Sequence, residues 1–138
     1  MKALLLVSGF CFLAMTSFSA QAADALPKGS KVGFVSPKDG ATVTAKFTAK
    51  FSVDGLKIEK AGAVKPGTGH HHLIIDGPGT PAGQIVEKDS THMHYGNGQT
   101  EAELTLTPGK HTLTLQFADG AHMSYGPEMS KTITITVK

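Results

Sequence analysis

The chain contains no tryptophan and no arginine, and its single cysteine, Cys11, sits inside an apolar run near the amino terminus. With no cysteine beyond that run there is no disulfide framework, no zinc-thiolate site, no nucleophilic thiol and no blue-copper sulfur ligand. The lysines are spread along the chain and the formal net charge is only +2, so nucleic acid is not an expected partner. Past the amino-terminal run no apolar stretch approaches the length of a membrane span. There is no Gly-x-Ser-x-Gly elbow, no phosphate loop and no carboxylate pair across a cleft, and Glu101 and Glu103 read as the solvated side of a strand. The chain is therefore not expected to be an enzyme, with metal-assisted hydrolysis the one catalytic route the residues leave open.

The first residues carry an address. Met1-Lys2 is a short positive end, Ala3 to Phe18 is apolar, and Ala20-Gln21-Ala22 has the small-x-small form cut by signal peptidase. Residues 1–22 are thus expected to be a signal peptide, with a mature domain over 23–138 in the periplasm or secreted medium of a bacterium. Phe10 before Cys11 is too large for a lipoprotein signal, so no lipid anchor is expected.

Beyond Ala23 the pattern is strands and turns. Lys31 to Ser36 is a first strand closed by Pro37-Lys38-Asp39-Gly40, a turn signal. Phe47, Ala49, Phe51 and Val53 alternate with Lys46, Thr48, Lys50 and Ser52, which places one side of a strand on a core. Further strands are expected at 70–76, 91–95, 100–107, 110–117 and 130–138, the 91–95 and 100–107 pair reading as a hairpin across Gly96-Asn97-Gly98. Gly77 to Ser90 and Ala118 to Met129 read as long loops. No stretch has sustained helical periodicity with caps. The expected fold is a single all-β domain, an immunoglobulin-like antiparallel sandwich of about seven strands.

What the chain has in abundance is histidine, seven in all, five of them in Gly69-His70-His71-His72-Leu73-Ile74-Ile75-Asp76 and Thr91-His92-Met93-His94-Tyr95. On a strand, residues two apart share a side, so His70 with His72, and His92 with His94, form pairs able to converge on one ion. Antiparallel chain reversal brings both pairs, and the loop carrying His122, to one end of the sandwich, leaving His111 at the other. The expected metal ligands are His70, His72, His92, His94 and His122, and imidazole suits copper or zinc. Met93, Met123 and Met129 lie beside these histidines, and thioether sulfur tilts the expectation towards copper. His71 shares the side of Leu73 and Ile75 and is expected to be a buried ring bonded to backbone carbonyls, while Asp76 reads as a turn residue. A second reading makes the histidines a structural or pH-sensing cluster in a non-catalytic envelope module that contacts another envelope protein through its loops.

Pro37 to Val43, Gly69 to Asp76, His92 to Leu104 with its Gly98-Gln99-Thr100-Glu101-Ala102 core, Pro108 to Leu113 and Asp119-Gly120-Ala121-His122 together resemble the bacterial exported family called domain of unknown function four-three-nine-nine. The resemblance spans nearly the whole mature chain and implies a small exported domain, with no activity to carry over. Where relatives have Phe-Gly-Gly-Gly-Gln, this chain has Tyr95-Gly96-Asn97-Gly98-Gln99, a change that keeps the turn.

Overall fold

The structure is a computed structural model that describes residues 25–138. The expected signal peptide, 1–22, lies outside the described residues. Among the described residues nine strands follow one another: β1 Lys31–Ser36, β2 Thr42–Val43, β3 Lys46–Asp54, β4 Lys57–Ile58, β5 Thr68–Ile75, β6 His92–His94, β7 Glu101–Thr105, β8 Gly109–Ala118 and β9 Ser130–Val137. One 3₁₀ turn, Pro127–Met129, precedes β9, and no helix among the described residues is long and apolar enough to cross a membrane.

The strands form two sheets. The smaller has the order β1-β3-β7, and the larger runs β2-β9-β8-β5-β4, with β6 also on β5. The two strands beyond the expected seven are the two-residue β2 and β4, which pair in parallel with β9 and β5. The core lies between the sheets. Val32, Ala49, Phe51 and Leu104 of the smaller face Leu73, Ile75, Leu113, Leu115, Phe117, Ile133, Ile135 and Val137 of the larger, the alternation of apolar positions having set the inward side of each strand.

Two features depart from the sequence pattern. The stretches 91–95 and 100–107 do not form a hairpin. β6 pairs with β5, whereas β7 crosses to the other sheet and pairs with β3, setting Ala102 against Ala49 and Leu104 against Phe47. Lys46–Glu103 and Lys50–Glu101 ion pairs at 2.9 and 3.7 Å line the outer face of that pairing, which a β6–β7 hairpin would not provide.

The second departure is that β5 and the end of β8 are buried on both faces. The segment 77–90, read as a loop, is a strap across the outer face of the larger sheet. Thr114 donates its hydroxyl to the Gly77 carbonyl (2.8 Å), the Thr80 amide donates to Gln116 Oε1 (3.0 Å), and Gln116 Nε2 donates to the carbonyls of Gly126 (3.1 Å) and Met129 (3.2 Å). Buried polar side chains on this face are tolerated because these bonds replace water.

Candidate metal centre

Strand alternation splits the three adjacent histidines. His71, Leu73 and Ile75 point into the core, while His70, His72 and Ile74 point outward beneath the strap. β6 runs antiparallel along β5 and sets His94 directly opposite His72. On the other flank β8 sets Ala118 opposite His70, and the chain then turns through Asp119 to Met123.

That turn aims the fourth ring. Asp119 Oδ1 accepts the amides of Ala121 (2.8 Å) and Met123 (3.0 Å), and the His122 amide donates to the Asp119 carbonyl (3.0 Å). His122 sits at φ 67°, a left-handed conformation that side-chain-bearing residues adopt at a cost of about 1–2 kcal/mol. The Val86 amide, from the strap, donates to the His122 carbonyl at 2.9 Å and ties the turn down.

The result is a four-imidazole group. One ring nitrogen from each of His70, His72, His94 and His122 lies within 4.8 Å of the others, and all six ring pairs have centroids 4.7 to 5.7 Å apart. His70 Nε2 is 2.9 Å from His72 Nε2 and 3.2 Å from His122 Nδ1. A tetrahedral ion with bonds near 2.05 Å needs donors about 3.3 Å apart, so the short contacts already match and the longest must close by about 1.5 Å.

Electrostatics keep three of these rings neutral. Burial first, then the neighbouring imidazoles, push His72 down to about 3; burial, then His94 and His122, push His70 to about 4, with Asp119 opposing weakly. Burial also lowers His94, helped by His122 and by the ammonium of Lys88. At neutral pH these three rings are uncharged, the form in which imidazole ligates a metal.

His92 does not join the group. It lies opposite Ile74, two pairs further along than His94 opposite His72, and its Nδ1 bonds Asp89 Oδ1 at 2.9 Å. Asp89 also accepts the amides of Thr91 (2.7 Å) and His92 (2.9 Å), so a local turn claims the ring. The hydrogen bond from His92 holds the Asp89 carboxyl far below its usual range. His71 corrects a second expectation, because neither ring nitrogen reaches a carbonyl. Its ring lies 5.0 Å from Phe117 and 5.5 Å from Phe51, and burial pushes it down to about 4.

The methionines also fall mostly outside the site. Met93 packs on the core side, where the Tyr95 hydroxyl meets its sulfur at 3.5 Å, and Met129 is fully buried in the core. Met123 pairs with Ile85 in an isolated bridge beside the turn. His111 lies at the opposite end of β8, as expected, bonded to Asp76.

Three contributors were not legible beforehand: the strap residues Ile85 to Lys88, Asp119 and Gly96. The first four line, with His72, His94 and His122, a cleft of about 300 Å³ beside the rings. A Cβ on Gly96 would collide with the imidazole of His94, so only glycine leaves that ring its place. The Asp-Gly-x-His order of Asp119 to His122 was the available sign of a tight turn presenting a histidine.

Fold and site together define an all-β sandwich with a histidine group, on the outer face of its larger sheet, that can hold a metal ion. The chain belongs to the family described as Domain of unknown function (DUF4399), whose model matches residues 49–138, a span that includes all four rings. No curated protein and no solved structure matches the chain.

Proposed function

We propose that the protein is an exported, non-catalytic binding module of the bacterial envelope that carries or buffers a transition-metal ion on His70, His72, His94 and His122. The observation that supports this most is the convergence of four ring nitrogens within 4.8 Å, three of the rings held neutral by burial. Copper or zinc suits an all-imidazole set, and with Met93 and Met129 in the core the thioether argument for Cu(I) loses two of its three residues.

The competing reading, a structural cluster, draws on the contacts of His70 with His72 and His122. Two facing Nε2 atoms can share only one proton, so the ion-free group satisfies few of its nitrogens. His70 Nδ1 and His72 Nδ1 are buried without a partner, at about 1–3 kcal/mol each, but that cost is the same with or without an ion. What differs is the converging lone pairs, which only a cation can satisfy together. The pH-sensing variant loses ground because His70 and His72 titrate far below pH 6.

The test is metal content and titration of Cu(I), Cu(II) and Zn(II) into the tag-free exported chain, beside His72→Ala/His94→Ala and His92→Ala. One-to-one binding lost in the double variant and kept in His92→Ala supports the site; binding weaker than roughly micromolar, about 8 kcal/mol, leaves the structural cluster.

A further inference from the structure

The four rings are not sealed in. His72, His94 and His122 form one wall of the 300 Å³ cleft, Ile85, Val86, Glu87 and Lys88 form the other, and His70 alone is absent from the lining. An ion held by the group therefore has the fully buried His70 behind it and the cleft in front. Four imidazoles fill a tetrahedron, so an outside ligand joins as a fifth donor, and the cleft lies on the side from which one can enter.

Charge says which ligand. All four donors are imidazoles, which carry no negative charge to a metal, and no aspartate or glutamate belongs to the group. Asp119, whose charge reaches His70, has Oδ1 committed to the amides of Ala121 and Met123. A divalent ion would keep its whole charge at the cleft wall, with no anionic ligand in the group to neutralise it. The cleft lining carries both signs, Glu87 and Lys88, and of the two it is the Lys88 ammonium whose charge reaches the His94 ring.

We propose that the cleft is an anion site on the bound metal. A small anion or carboxylate enters between Ile85 and Lys88, takes the coordination position turned away from His70, and lies beside the Lys88 ammonium. This rests on the metal reading above. It makes the protein a module that binds metal and anion together, with anion exchange open to solvent while the deep His70 side stays dry.

The experiment uses the tag-free exported chain loaded with one equivalent of Co(II), followed by visible absorption during titration with azide and then acetate, with cobalt loading matched among wild type, Lys88→Met and Glu87→Gln. Azide should shift the d–d bands and saturate, Lys88→Met should raise the half-saturating concentration about threefold to fivefold, and Glu87→Gln should lower it, the size expected of partly exposed charge pairs. Bands unmoved by roughly 100 mM azide, or variants that shift half-saturation in the same direction, overturn the anion site. Failure to take up cobalt overturns the metal reading and this one with it; uptake without an anion response overturns this one alone.

Discussion

The two ends of the β5–β8 pair hold histidines in opposite circumstances. At one end His111 Nδ1 meets Asp76 Oδ2 at 2.7 Å and Nε2 meets the Thr107 carbonyl at 2.9 Å, while Asp76 Oδ1 accepts the Thr112 amide at 2.8 Å. Both nitrogens face acceptors, so the ring satisfies them together only as imidazolium, and the Asp76 hydrogen bond raises its pKa. At the other end His70, His72, His94 and His122 face one another, and burial lowers three of them. The same side chain is complete at one end and grouped so that it can hold a cation at the other; the partners make the difference, not the residue.

His72→Ala should break the comparison most. It removes the ring nearest His70 and directly opposite His94, and metal affinity should fall about 100-fold or more in a competition titration, loss of a direct ligand exceeding the 10–100-fold typical of supporting residues. Retained affinity would mean that the ion, if any, is held elsewhere. Gly96→Ala should come next. The added methyl pushes the His94 ring aside without removing any ligating atom, and affinity should drop about tenfold while far-ultraviolet circular dichroism stays the same.

His122→Gly separates function from stability. Glycine relieves the left-handed backbone at φ 67°, so the metal-free protein should melt no lower than wild type, and up to about 1 kcal/mol higher in stability, while metal affinity falls. A metal-free variant that melts several degrees lower would show that the ring is there for the fold.

The smallest effect lies at the satisfied end. His111 has a raised pKa, so its contribution is complete below about 6.5 and is lost as pH rises through the raised value. Partial burial pulls Asp76 upward, but the bonds from His111 and Thr112 outweigh it and leave its pKa depressed, so its contribution is present above about 3.8 and fades as pH falls. His111→Gln should therefore destabilise most between about pH 4 and 6.5, by less than about 1 kcal/mol given that half of Asp76 is exposed, and hardly at all at pH 9. Equal losses in denaturant melts at pH 5.5 and 9 would refute the charged pair.

Much of this was legible because strand alternation and antiparallel reversal are set by short-range rules. The inward sets on β3, β8 and β9, the placement of His70 and His72 on one side, and the gathering of His94 and His122 to their end all follow from period two and turn positions. Most of what failed was decided by long-range packing. β7 left the expected hairpin because its apolar side fitted β3, and the strap converted the outer face of β5 into a second buried layer, which no local pattern announces. His92 was lost to the site through Asp89, three residues away, an Asx turn that competes for the ring. His71 was placed on the correct side but given carbonyl partners that a flat aromatic surrounding does not supply.

The segment Gly69–Asp76 has one more property. Its middle, three histidines and then Leu73-Ile74-Ile75, reads almost the same if slid by one position, and with both faces covered neither water nor polarity would object to the slip. Its two ends do. A Cβ in place of Gly69 would strike the Ala118 carbonyl and the Phe117 ring, so only the residue without a side chain fits there. At the far end Asp76, at φ 54°, can reach the Thr112 amide and His111 in one alignment only. The alignment that decides whether two imidazoles or one face the strap is thus fixed like a ruled scale, by marks at its ends and none along its length.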